Sequence, residues 1–192
     1  MHHENRSRVP FLVVLKLTNC NNNMEEEKLK VPVYEGMAYL LEVVNASYFA
    51  KLMGVSSNWI SCKQRCKVNK RGYRVQYLPT DMEIINNALP KLANEIMKRC
   101  LIPQEMYTDS DAMSMHIRQE VKPILIPKRL AKTRLGHDFV WLRTRLDVKK
   151  SGIRNTSKFT PQDAADINRA IKEIILYIMG VEMVYEPPKE YL

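Results

Sequence analysis

The chain lacks most of the marks by which enzymes and membrane proteins announce themselves. No apolar run approaches the roughly 20 residues of a membrane-spanning helix, so no membrane partner is implied. Its six glycines form no phosphate-cradling loop, and neither H-E-x-x-H, nor G-x-S-x-G, nor a carboxylate pair beside a basic catalytic residue occurs. These absences argue against an enzyme and supply no catalytic residue, metal or cofactor. Six glycines and ten prolines in 192 residues also exclude a collagenous or low-complexity chain. Cysteine is sparse: Cys20, Cys62, Cys66 and Cys100 show neither C-x-x-C spacing nor a secreted disulfide framework, so reduced thiols in a cytoplasmic protein are expected. Cys62 and Cys66 would share one helix face, but none of His2, His3, His116 and His137 pairs with them at zinc-site spacing. Small buried thiols are favoured over metal ligands.

What is present is an ordinary globular composition, 45% hydrophobic and 27% charged, enough for one domain or two small ones. The net charge of +9 is unevenly placed: residues 1–44 carry five Lys and Arg against six Asp and Glu, residues 45–103 ten against three, and residues 104–192 fifteen against twelve. The central excess suits a polyanionic partner through counterion release, or else forms a solvated basic face. Ahead of it, the apolar run from Val9 to Cys20 is interrupted by Lys16, and Asn19 is too bulky for the position before a lipidated cysteine. Residues 1–30 are therefore read as a flexible leader rather than an export signal. Met24 and Met37 leave open whether residues 1–23 are translated.

The chain matches itself at an offset of 82. Gly54 falls on Gly136, Trp59 on Trp141, Lys67 on Lys149, Tyr77 on Phe159, Pro79 on Pro161, Asp81 on Asp163, Asn86 on Asn168 and Ala88 on Ala170. Apolar positions agree throughout, which implies a tandem duplication. The expected architecture is all-α: two small helical domains with helix-turn-helix character, at 31–103 and 104–192. In each, a short helix ends at the glycine, a second helix carries the tryptophan, a basic linker follows and a long helix closes the unit. Further helices are expected at 34–44 and 110–122. Thr80 and Thr160 are expected to cap the long helices, with Pro161 in a first helical position. Apolar stripes at 85, 88, 89, 92, 96 and at 167, 170, 171, 174, 178 have helical period and should be core. Pro90 should kink or break the first long helix near Ala88 to Leu89, since an interior proline costs about 3 kcal/mol.

The stretch "FAKLMGVSSNWIS", Phe49 to Ser61, meets several steric demands of a tight two-helix corner. Ala50 is small where the second helix crosses, Gly54 tolerates positive φ four residues later, Val55 can plug the gap, Ser56 can cap and Ile60 can anchor the second helix. Over residues 45–66, with "FAKLMGVS" and "IS" as the matching residues, the segment resembles the helix-turn-helix of Cro/repressor-like DNA-binding proteins. The longer span from Asn58, with its second copy, also resembles diverged tandem copies of a family of small uncharacterised bacterial helical proteins. That family pairs a tryptophan-bearing helix with a Phe-Thr-Pro-acidic helix start, and it implies no activity.

The repressor-like resemblance implies that the helix at 56–67 enters the major groove of double-stranded DNA. Ser57, Asn58 and Ser61 would then face base edges, and Asn58 alone can grip adenine with two hydrogen bonds. Lys51, Lys63, Arg65, Lys67, Lys70, Arg71 and Arg74 would contact phosphates, joined from the second copy by Arg143, Arg145, Lys149 and Lys150. Tyr73 and Tyr77 could stack on a base or anchor the loop. In the second copy Gly136 follows Ala131 by five residues rather than four and His137 replaces Val55, so that corner must be built differently, with Asp138 as cap. It is read as a weaker DNA arm or a pseudo-dimer partner, and self-association is a further possibility. The expected function is sequence-specific DNA binding, as a transcriptional regulator or a mobile-element accessory factor. The alternative is a non-enzymatic helical protein-interaction module; an RNA binder ranks third, because the usual RNA-module signatures are absent.

Overall fold

The computed structural model describes residues 27–146 and 157–187. Cys20, Lys149, Lys150 and the export question lie outside the described residues. The chain is mostly helical. Strand β1 (Leu29–Pro32) leads into α1 (Val33–Val43), α2 (Ala46–Met53), α3 (Ser57–Gln64) and the long α4 (Asp81–Arg99). After a 3-10 turn at Gln104–Met106, α5 (Ser110–His116) runs on through a π-helical stretch, Ile117–Val121, and a last turn, Lys122–Ile124. Then come α6 (Pro127–Arg134), α7 (Phe139–Leu146), the long α8 (Pro161–Gly180) and β2 (Val181–Val184).

The all-α expectation needs one correction. β1 and β2 form a two-stranded parallel sheet, with Leu29 opposite Val181 and Pro32 opposite Val184. Four residues are too few to show a strand period in sequence, but in place Val181 and Met183 are buried while Glu182 between them is exposed, as alternation requires. Leu29 and Lys30, the last residues of the segment read as leader, belong to this strand.

Helix boundaries follow local chemistry, with exceptions. Asn45 caps α2 by accepting from the Ser47 amide at 3.0 Å. Thr160 and Asp163 form the full reciprocal capping box of α8, with Pro161 opening the helix. Thr80 does not cap α4: its backbone is already helical and its side chain makes no capping bond. The Asp81 carboxylate instead accepts from the Leu78 amide, in the turn before the helix, at 2.7 Å. Ser56 stands at the start of α3 in extended backbone but its hydroxyl also makes no capping bond.

Pro90 does not break α4, which is continuous from Asp81 to Arg99. The proline is exposed while Ala88, Leu89, Leu92 and Ala93 around it are buried. Burying each large apolar side chain contributes about 1.5–3 kcal/mol, which outweighs the roughly 3 kcal/mol cost of an interior proline. Both apolar stripes are core as expected, and α4 packs along α8. One buried cluster continues through both halves of the chain.

Two asparagines lock the halves together. Asn86 on α4 donates to the Met183 carbonyl at 2.9 Å and accepts from the Met183 amide at 2.8 Å. Asn168 on α8, 82 residues later, grips the carbonyl and amide of Ile102 in the same way, both at 2.8 Å. Each long helix thus holds the segment that follows the other. Between the helical runs, the Asn45 amide donates to the Ile124 carbonyl at 2.8 Å and the Ile126 amide to the Val43 carbonyl at 2.7 Å.

Candidate nucleic-acid interface

The corner between α2 and α3 closes on small residues and backbone bonds. Ala50 is 1% exposed, and its carbonyl accepts from the Val55 amide at 3.0 Å. Gly54 ends α2 with φ of 72°, the left-handed region where only glycine is unstrained. A Cβ there would touch nothing within 4 Å, so the backbone angle rather than crowding is what calls for glycine. Phe49, Met53 and Ile60 are buried beneath the corner, with Val55 and Trp59 half-buried against them.

This packing turns the polar side of α3 outward. Ser57 and Asn58 are exposed and Ser61 is half-buried. Lys51 on α2 and Arg65 just past α3 are exposed. The chain then makes a small hairpin, with a bridge between Val68 and Arg74 and the Val75 amide donating to the Lys67 carbonyl at 2.8 Å. Asn69 organises its tip: its side-chain oxygen accepts from the Arg71 amide at 2.9 Å and the Tyr73 amide at 3.0 Å, while Gly72 takes φ of 82°. Lys67, Lys70, Arg71 and Arg74 are all exposed along it, and Tyr73 is 69% exposed beside them.

Three residues read as candidate contacts are committed elsewhere. Lys63 is 7% exposed; its ammonium lies 2.5 Å from the Asp81 carboxylate, donates to the Gln76 carbonyl at 2.9 Å and stands 4.8 Å from the centre of the Trp59 ring. Arg145 repeats the arrangement with Asp163 at 3.3 Å and the Trp141 ring at 4.4 Å. Both cations neutralise a poorly solvated carboxylate at the start of a long helix, and the pairing offsets the cost of burying each charge. They are withdrawn from the phosphate-contact set. Tyr77 is fully buried, edge-on to Tyr34 and Trp59 at 5.1 and 5.8 Å, so it anchors the loop and is closed to any base. Lys149 falls outside the described residues.

The anchoring network around Tyr77 also fixes α3. Gln64 donates to the Tyr34 carbonyl at 3.0 Å and accepts from the Tyr77 hydroxyl at 3.2 Å. The Tyr34 hydroxyl accepts from the Tyr77 amide at 3.2 Å and from the Cys66 thiol at 3.5 Å. Burial, aided by the Cys66 bond, pushes the Tyr34 hydroxyl up to about 12. Cys62 and Cys66 are half-buried and Cys100 is buried, where desolvation pushes its thiol up to about 12. No group of three His, Cys, Asp or Glu side chains among the described residues could hold a metal ion.

The second corner is built differently, as its extra residue required. The His137 amide takes the Ala131 carbonyl at 3.0 Å, and its ring stacks on Trp141 at 4.1 Å with planes 11° apart. Asp138 caps the helix through the Trp141 amide at 2.7 Å. Arg143 is exposed. Sequence reasoning missed what stands at the positions of Ser57 and Asn58: Phe139 and Val140, 46% and 60% exposed. The offset of 82 carried that signal, because it places these four residues in register. No family model, curated protein or solved structure matches the chain, and no helix among the described residues is long and apolar enough to cross a membrane.

Proposed function

We propose that the chain is a tandem of two related helix-turn-helix units, of the Cro/repressor-like kind in its first half, and that it is a sequence-specific double-stranded DNA-binding protein. In this reading α3 lies in the major groove, Asn58 and Ser57 face base edges with Ser61 at the margin, and the hairpin at 67–75 lies along the phosphates. The observation that carries it is an outward polar helix face flanked in sequence by the exposed cations Lys51, Arg65, Lys67, Lys70 and Arg71. A base-reading helix needs that combination: phosphate contacts supply affinity and position, and polar side chains supply specificity. Such a protein serves a transcriptional regulator or a mobile-element accessory factor equally well.

The test compares two variants on a duplex selected from a random pool. Asn58→Ala should cost about 1–3 kcal/mol and relax preference at one base pair. Lys70→Ala should weaken all duplexes alike and lower the salt slope by about one unit. Equal effects of the two variants on every duplex would remove the base-reading role. A chain that selects no duplex at all would leave the protein-interaction module as the working reading.

A further inference from the structure

The bonds that join the two halves are reciprocal. Asn86 of the first half holds Met183 after the second long helix, and Asn168 of the second holds Ile102 after the first. The bonds from Asn45 to Ile124 and from Ile126 to Val43 come as a pair in any antiparallel bridge, here Val44 with Leu125; what bears on the halves is that the bridged residues are displaced by 81, close to the self-match offset. An operation that carries the first half onto the second must therefore also carry the second onto the first. Only a two-fold rotation does so; a head-to-tail repeat would make each contact once. The β1–β2 sheet is a departure from this symmetry, since the residues 82 after β1 lie in helix α5.

A two-fold rotation keeps related elements at equal height along its axis, so α3 and α7 are level with each other. B-DNA has two-fold axes perpendicular to its length, which is why symmetric protein dimers read inverted repeats. The two helices here carry different chemistry at matched positions: Ser57 and Asn58 on α3, Phe139 and Val140 on α7. Two exposed apolar side chains make a patch far smaller than the roughly 800 Å² per partner of a stable protein interface. They are the right size for the C5-methyl group of thymine, the one apolar feature of a base edge. The Lys128 ammonium, 4.5 Å from the centre of the Phe139 ring, places a cation beside them, as phosphate proximity requires.

We propose that one chain occupies one imperfect inverted repeat, reading one half through Asn58 on α3 and the other through thymine methyl groups against Phe139 and Val140 on α7. This rests on the DNA-binding reading above. One molecule then does what symmetric dimers do with two, and its target has unequal halves.

The experiment uses the full chain and duplexes selected from a random pool. The expected site is an imperfect inverted repeat with half-site centres about one helical turn apart, bound by one chain as read by sedimentation. Exchanging thymine for deoxyuridine in the half assigned to α7 should weaken binding about fourfold per methyl group removed. The same exchange in the α3 half should leave affinity within about twofold, and Phe139→Ser together with Val140→Ser should abolish the sensitivity of the α7 half. A selected site with a single half, two chains on a symmetric repeat, or indifference to the exchange would overturn this proposal while leaving sequence-specific binding intact. If no duplex is selected over random DNA, both readings fall together.

Discussion

Asp81→Ala removes the carboxylate that holds Lys63 inside the protein. The ammonium, on a residue 7% exposed, would keep only the Gln76 carbonyl at 2.9 Å and the face of Trp59. The Leu78 amide would lose its acceptor as well. Breaking a buried pair from one side costs about 3–5 kcal/mol, because the surviving charge keeps its desolvation cost without its partner. That is a large part of the roughly 5–15 kcal/mol that holds a domain folded. Lys63→Met should cost less, about 2 kcal/mol, since Asp81 retains the Leu78 amide and the positive end of α4. The double variant strands no charge and should be no less stable than Asp81→Ala alone, a coupling of at least about 2 kcal/mol. Urea unfolding followed by tryptophan fluorescence reads all three, Trp59 being in contact with the pair. Strictly additive losses, or a loss below about 1 kcal/mol for Asp81→Ala, would refute the reasoning. Lys63→Met should also leave the salt slope of DNA binding unchanged, in contrast to Lys70→Ala.

Asn168→Ala would leave the amide and carbonyl of Ile102, which is 2% exposed, without their partners; the expected cost is about 2–4 kcal/mol by chemical denaturation, and a loss under about 0.5 kcal/mol would mean that the clip between the halves is dispensable. Cys100 should resist iodoacetamide in the folded protein while Cys62 and Cys66 react, and peptide mass analysis showing all three modified at one rate would contradict its burial. The pH dependence follows from the raised acids. In the unfolded chain the Cys100 thiol and the Tyr34 hydroxyl lose their protons near their ordinary values of 9.0 and 10.0, before the folded groups do at about 12. Their contribution to stability is therefore complete below pH 9 and is lost as the pH rises from there toward 12. Unfolding curves that do not weaken across that range would contradict it.

Much of the fold was legible because it depends on local, strongly constrained signals. Gly54 at the left-handed end of α2, the Thr160–Asp163 box and the two 3.6-period stripes each specify backbone or burial through nearby residues alone. The features that were missed depend on partners far along the chain. Nothing around Leu29 announces a strand whose mate begins at Val181, and Asn86 reads as a surface polar residue until Met183 arrives beside it. The candidate site divides the same way. Ser57, Asn58, Lys67 and Lys70 face outward as helix and hairpin geometry require, whereas Lys63 and Arg145 looked like their neighbours in a basic run. The clue that set them apart was in the self-match at an offset of 82: at both matched places a cation precedes an aspartate by 18 residues. An exposed contact residue has no need of such a spacing, and a buried pair does.

The most direct test of DNA binding is fluorescence anisotropy of the full chain on a pool-selected duplex and on random duplex across a series of salt concentrations. The account predicts at least about 10³-fold tighter binding to the selected site, with log affinity falling steeply and linearly in log salt for both. Weak binding that is equal for the two duplexes and indifferent to salt would contradict it.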